Sequence, residues 1–213
     1  MPREATAMDG AGMDETTGLP KDAVELPGRE SALALLAEYT QKPGLIKHAL
    51  AVEAALRAYA RELHGDEYAW GLVGLLHDFD YERWPSVEDH PWRGAEILTR
   101  LGYPEWFRRA ILSHADYTGV QRQTPLERTL FACDELCGFL TACALVMPHR
   151  SLYEVRVESV RKRMKSKTFA AGVHREDVVD GARELGVDLD EHIGFVLQAL
   201  CGVARELGLD GGG

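Results

Sequence analysis

From Glu30 onward the chain repeats apolar residues at helical spacing almost without interruption. No stretch alternates apolar and polar residues as a half-buried strand does. This pattern restricts the chain to an all-α fold. It predicts helices over about 30–39, over 44–63 with a stop at His64-Gly65, and over 67–77. Pro91 starts the next helix and Gly102 stops it; Pro104 starts another that ends near His114 or Ala115. "TPLE" at 124–127 is a capping box, with Thr124 as N-cap, Pro125 first in the helix and Glu127 reaching back. That helix runs to about 140, and "TACALVM" continues it after a bend. Three more fit 151–165, 175–185 and 189–207, the last opened by Asp188 with Glu191 three residues on. The lengths are unequal and no internal repeat is evident, so the expected fold is irregular and multi-helical. Residues 1–28 carry no periodicity and are expected to be a mobile tail. One domain is expected over 29–209, with its core at about 44–140 and a C-terminal helical extension at about 150–208.

Length and charge narrow the function classes. A chain of 213 residues makes one domain, which can bury roughly 70% of its unfolded surface. Acids outnumber bases 34 to 24, a formal charge of −10, which argues against duplex nucleic acid as a partner. The longest apolar run, "FLTACALVM", is too short to span a bilayer, and no secretory signal is visible at the amino terminus. A cytoplasmic protein with no membrane partner is expected. Cys133, Cys137, Cys143 and Cys201 fall within helical patterns and read as buried thiols. Cys133 and Cys137 are four apart, but no second cysteine pair completes a zinc site.

The chemistry concentrates at "GLLHDFD", residues 74–80. An apolar helical run ends there in a histidine and two aspartates, and burying such groups costs several kcal/mol unless something compensates them. Other helices bring similar groups inward. His48 sits one turn before Val52 on the stripe Val52–Leu56–Tyr59–Leu63. The stripe Phe107–Ile111 continues into His114, and Asp134 borders the buried-looking face of Cys133, Leu136 and Cys137. His90 immediately precedes Pro91, at the N-cap position. Each has a bland reading: hydrogen-bonded core histidines, a capping His90, an Asp134 paired to an arginine. A metal centre would satisfy all of them together, because imidazole and carboxylate suit first-row divalent ions. Neighbouring residues on a helix diverge by about 100°, so His77 and Asp78 can share a centre only where the helix is ending.

The ordered set His48, His77-Asp78, His90, His114, Asp134 resembles the HD superfamily of metal-dependent phosphohydrolases, whose core pattern is H…HD…D. "HPWRGAEILTRLGYPEWFRRAILSH" (90–114) is similar to the segment HP-x-x-GA-x-x-L…IL-x-H of its HDIG and HD-GYP members. "CDELCGFLTACALVMP" and "SVRKRMKSKTFAAGVHR" resemble a bacterial subgroup of predicted HD hydrolases; the likeness covers about 40–205. It implies an HD-domain fold with His48, His77, Asp78 and Asp134 as core metal ligands. His77 and Asp78 carry the catalytic centre, His90 and His114 match the extra ligands of two-metal members, and Asp78 is the bridge. Two features depart from the pattern. Asp80 stands where HDIG proteins have glycine, and the Gly-Tyr-Pro signature of cyclic-dinucleotide hydrolases does not follow His114.

The resemblance implies one or two divalent ions (Mn, Fe, Co, Ni, Mg or Zn) and hydrolysis of a phosphomonoester or nucleotide-type substrate by a metal-activated water. Arg93, one turn past His90, is a candidate contact to the small phosphorylated substrate. Lys162, Lys165 and Lys167 in the basic run "RKRMKSK" are others, although that run also reads as a solvated face with Val157, Val160 and Met164 inward. Lys47 adjoins His48 but points off the stripe. Tyr81, Trp84 and Trp92 flank the proposed ions and either stack a base or simply pack, while Glu53 and Arg57 read as an exposed pair four residues apart. Two other readings share the six ligands: a mixed-valent diiron oxygenase of the HD type, and a non-catalytic metal- and nucleotide-binding sensor.

Overall fold

A computed structural model describes residues 26–212. Residues 1–25 lie outside the described residues, and with them most of the tail expected over 1–28. Pro27, at its end, is docked: its carbonyl accepts the Tyr68 hydroxyl at 2.7 Å. Ten α-helices follow one another among the described residues: α1 (Arg29–Tyr39), α2 (Pro43–Glu62), α3 (Glu67–Leu76), α4 (Trp92–Arg100), α5 (Glu105–Ser113), α6 (Pro125–Leu145), α7 (Val157–Met164), α8 (Arg175–Leu185), α9 (Leu189–Gly202) and α10 (Ala204–Leu207). Short 3-10 turns at Asp116–Thr118 and Leu152–Glu154 join them. Among the described residues there is no strand, only an isolated bridge between Ser151 and Asp210. The all-α expectation holds.

Local chemistry sets the helix boundaries. The Asp66 carboxylate accepts the Ala69 N–H at 2.9 Å and opens α3. The expected capping box opens α6: the Thr124 hydroxyl accepts from Glu127 N, and Glu127 Oε2 accepts from Thr124 N. Arg109 then pairs with the buried Glu127 at 2.9 Å, so α5 is fastened to the start of α6. Gly186 ends α8 in the left-handed region at φ 77°, where only a residue without Cβ sits without strain.

α2 is the axis of the molecule, with α3, α6 and α9 packed around it. A Cβ on Gly74 of α3 would stand 2.9 Å from the Val52 carbonyl oxygen and 3.0 Å from Glu53 Cα, so the two backbones touch there. Gly181 of α8 makes a similar approach to α6, 2.5 Å from Ala132 Cα by the same measure. Trp70, Phe79, Phe107 and Phe139 are fully buried between these helices. A polar chain also crosses the core: the Tyr59 hydroxyl on α2 meets His192 Nδ1 on α9 at 2.6 Å, and His192 Nε2 meets the Ala132 carbonyl on α6 at 2.9 Å. The carbonyl can only accept, so Nε2 carries the proton and Nδ1 accepts from the tyrosine.

Several expectations need correction. The helix expected over 151–165 is a 3-10 turn followed by α7, because Val155 and Arg156 are extended. The helix expected over 189–207 breaks at Val203 into α9 and α10. α6 takes in most of "TACALVM" without interruption. Leu63 is 43% exposed and leaves the stripe that holds Val52, Leu56 and Tyr59. Glu53 is 3% exposed and far from a surface pair. Arg29 of α1 grips it through two nitrogens at 2.7 and 2.8 Å, and Arg57 adds two contacts at 3.0 and 2.9 Å. Three of the thiols are buried and Cys201 is half-buried; all four are free.

The segment between α7 and α8 returns along α6. Arg175 stacks on Phe139, 5.3 Å from the ring centre, and donates to the carbonyls of Ser166, Phe169, Ala170 and Val173. Val173 thereby reaches Gly138 on the face of α6 that also meets His48.

The α2–α3 contact yields a directional expectation. Replacing a helical glycine with alanine ordinarily gains up to about 1 kcal/mol. At Gly74 the overpacking against backbone should instead cost roughly 1–3 kcal/mol. Urea unfolding of Gly74→Ala tests this, and a midpoint equal to or above wild type would mean that the two helices are not held this closely.

Candidate metal centre

His77 is the residue at which α3 stops, and Asp78 begins the turn that follows, with its carbonyl accepting the Tyr81 N–H at 3.0 Å. Leaving the helix there lets two adjacent side chains converge, as the sequence requires. Phe79, fully buried beside them, anchors the turn, and its carbonyl accepts the Thr40 hydroxyl at 2.8 Å. His48 comes from the second turn of α2, His114 from the end of α5, Asp134 from the middle of α6 and His90 from just before α4.

The six residues meet. His48 Nε2 lies 2.9 Å from Asp134 Oδ1 and 3.3 Å from His77 Nε2. His77 Nε2 lies 3.3 Å from Asp134 Oδ1 and 3.6 Å from Asp78 Oδ2. On the other side of Asp78, Oδ1 is 3.1 Å from His90 Nε2 and 3.4 Å from His114 Nε2. Two groups result, His48–His77–Asp78–Asp134 and Asp78–His90–His114, each with its ligand atoms within 4.8 Å of one another. Asp78 belongs to both. The side chains of Asp78, His48 and Asp134 are 22%, 20% and 18% exposed, while His77 is fully buried, so the centre opens to solvent on the carboxylate side.

The reverse faces of the rings decide what the centre needs. His77 Nδ1 lies 2.8 Å from the Gly74 carbonyl, and His114 Nδ1 lies 2.5 Å from that of Ile111. His90 Nδ1 lies 2.8 Å from Asp80 Oδ1. Carbonyl and carboxylate oxygens only accept, so each Nδ1 carries a proton and each neutral ring turns the Nε2 lone pair inward. Three lone pairs then face carboxylate oxygens at 3.1–3.4 Å, acceptor against acceptor. Only protons or metal cations between them relieve that. Atoms that share an ion at about 2.0–2.2 Å stand roughly 3 Å apart, which is the spacing found. The donor set fits a divalent metal.

Without metal, protons fill the role. Burial disfavours a charged His90 most strongly, but Asp78 and Asp80 outweigh it and raise its pKa to about 10. His77 and His114 are raised in the same contest between burial and the carboxylates. Asp78 and Asp134 are pulled well below the ordinary carboxylate range: burial opposes this, and the surrounding imidazoles overcome it.

Other expected residues fall out differently. His90 does not cap α4: Pro91 holds that position, and the imidazole turns inward. Asp134 pairs with histidines and not with an arginine. Arg93 is half-exposed and paired with Asp89 at 3.0 Å and Glu96 at 3.4 Å. Lys162, Lys165 and Lys167 are exposed, with no ion pair among the described residues. Lys165 lines a shallow groove between α7 and α8 with Arg161, Arg175 and Asp180. Lys47 points towards Gly208, 2.9 Å from where a Cβ there would stand. Of the three aromatics, Tyr81 meets the centre, edge-on to His90 at 5.2 Å, while Trp84 packs on Tyr39. A third group, Glu135–His174–Asp177, was not anticipated. There Glu135 accepts both the backbone N–H and the ring of His174, at 3.2 and 2.9 Å, and so ties the start of α8 to α6.

Comparison with known proteins agrees with this geometry. Residues 45–138 match the family model of the HD domain. No curated protein and no solved structure matches the chain. The matched segment contains all six converging residues and makes this part of the chain an HD domain, the domain that marks the HD superfamily of metal-dependent phosphohydrolases.

Proposed function

We propose that the chain is a divalent-metal-dependent phosphohydrolase with a binuclear centre, acting on a phosphomonoester or nucleotide-type substrate. The observation that carries this reading is the division of Asp78: Oδ2 faces the His77 group and Oδ1 faces His90 and His114. His48, His77, Asp134 and one oxygen of Asp78 would hold the first ion, and His90, His114 and the other oxygen the second. A bound pair of divalent ions supplies positive charge to phosphoryl oxygens and brings the pKa of a water towards neutrality.

The chain's own residues do the rest. The carbonyls of Gly74 and Ile111 fix the proton on Nδ1 of His77 and His114 and so aim Nε2 at the centre. His77 is fully buried and His90 and His114 nearly so, and substrate reaches the centre from the partly exposed carboxylate side. We assign Arg93 to the substrate's charge, as a half-exposed guanidinium three residues past His90 and steadied by Asp89 and Glu96. Lys162 is exposed on α7, and Lys165 and Lys167 are exposed just beyond its end.

Metal content per chain tests the division. Wild type should carry two ions. His90→Ala should carry one and lose at least about 100-fold in turnover, because one ion cannot clamp both sides of the displacement. Asp78→Ala should carry none. A His90→Ala protein that keeps full turnover on the wild-type complement of metal contradicts the binuclear reading.

The protonation of the metal-free centre gives a second expectation. His77, His90 and His114 have pKa values raised above the unfolded value of about 6.5, with His90 at about 10. The stability they contribute is fully present below about pH 6.5 and is lost as pH rises through about 10. Metal, in contrast, requires neutral imidazoles and is retained better as pH rises. The drop in melting temperature on chelation should therefore grow from pH 6 to pH 9. His192, whose pKa is lowered by burial, contributes with and without metal and cancels from the difference. A drop that stays constant or shrinks over that range counts against metal at these residues.

A further inference from the structure

Asp80 is the carboxylate of the HDFD stretch that neither candidate ligand group includes, and it is completely buried. Both of its oxygens are engaged. Oδ1 accepts from His90 Nδ1 at 2.8 Å, and Oδ2 accepts the Gly94 backbone N–H at 2.7 Å, in the first turn of α4. Pro91, the N-cap of that helix, has no side-chain oxygen to offer, so a carboxylate from the preceding turn satisfies the orphan N–H and lies at the positive end of the helix. The seat is shaped for it. A Cβ on Gly94 would fall 2.9 Å from Asp80 Cγ and 3.0 Å from Phe79 Cε1, so a side chain there would displace the carboxylate.

The rings of His77 and His114 are backed by neutral carbonyls. Among the described residues His90 alone of the candidate ligands is backed by a carboxylate. That has two physical consequences. A carboxylate accepts and does not donate, so the proton stays on Nδ1 and the Nε2 lone pair stays aimed at Asp78 Oδ1, 3.1 Å away. Its negative charge also makes the ring a stronger electron donor towards a metal.

We propose that Asp80 is a positioning residue for the second ion: it fixes the tautomer and the direction of His90. This rests on the binuclear reading above. It also makes the two halves of the centre electronically unequal, with the carboxylate-backed imidazole on the side of Oδ1.

Asp80→Asn separates this role from simple helix capping. The amide has the shape of the carboxylate but one acceptor oxygen for two N–H donors. If that oxygen keeps the Gly94 contact, the amide NH2 faces His90, and Nδ1 must accept, which moves the ring proton to Nε2 and towards the centre. Manganese(II) alone would be titrated into metal-free wild type, Asp80→Asn, His90→Ala and Gly94→Ala, with the free ion read by electron paramagnetic resonance. Melting of each metal-free protein would be recorded alongside. In Asp80→Asn the first ion should bind as in wild type and the second roughly 10–100-fold more weakly, while metal-free melting falls because His90 loses a carboxylate partner. Gly94→Ala, which pushes on a chemically intact carboxylate, should weaken the same ion and carries the test if Asp80→Asn does not fold. The inference is overturned if His90→Ala loses one ion while Asp80→Asn and Gly94→Ala bind both as tightly as wild type. It is also overturned if both ions weaken together with the metal-free melting temperature, since Asp80 is then only a structural cap. A wild type that takes one ion, or a His90→Ala that keeps two, overturns the binuclear reading and this inference with it.

Discussion

A single carboxylate stands between two groups of imidazoles, and the arrangement of the surrounding helices follows from it. Asp78 presents one oxygen to His77 and the other to His90 and His114. Each of these rings is fixed from behind, so none can rotate away to relieve the contact of lone pair against carboxylate. The centre is thus built to be filled by positive charge, whether protons or metal. The acidic balance of the whole chain, −10, adds to that demand.

The ligands arrive from two kinds of place. His48 and Asp134 project from the interiors of long helices, α2 and α6, which also form the middle of the core. His77, Asp78, His90 and His114 sit where helices end or have yet to begin, and there the backbone carbonyls freed by helix ends become available. Gly74 and Ile111 use theirs to hold a ring nitrogen. Helix ends that would otherwise leave acceptors unmet contribute the second contact of His77 and His114.

Much of this was legible in the sequence because it follows from spacing along one helix. Helical periodicity located nine helices, most of them to within a few residues and with α9 and α10 merged into one, and the same spacing placed His48 and His114 on inward faces. The end of the apolar run after Leu76 marked the place where His77 and Asp78 converge. What escaped depends on contacts between elements. Glu53 and Arg57 look like a surface pair from their i,i+4 spacing, and only Arg29, arriving from α1, makes the glutamate a buried hub. Asp80 looked like a mere departure from the family pattern because its partners, His90 and Gly94, lie ten and fourteen residues on. The extended residues Val155 and Arg156 carry no glycine or proline to announce them. At Val203 the apolar spacing continues through a Gly202 that does end the helix. His192 is one histidine on an apolar face, and its link from Tyr59 to Ala132 appears only once three helices are in place.

The contact at Gly74 gives the two halves of the centre different mechanical characters. With the backbones of α2 and α3 touching at Val52, the helices that carry His48 and His77 are held close together. The other half hangs on His90, carried by the turns between α3 and α4, and on His114 at the end of α5. A stiff pocket discriminates between ions by radius, because it cannot expand or contract to suit them, whereas a compliant one accepts a range of sizes and exchanges them faster. On the binuclear reading proposed above, the half that includes His48 would set which element the protein selects, and the half that includes His90 would set how readily the second ion comes and goes.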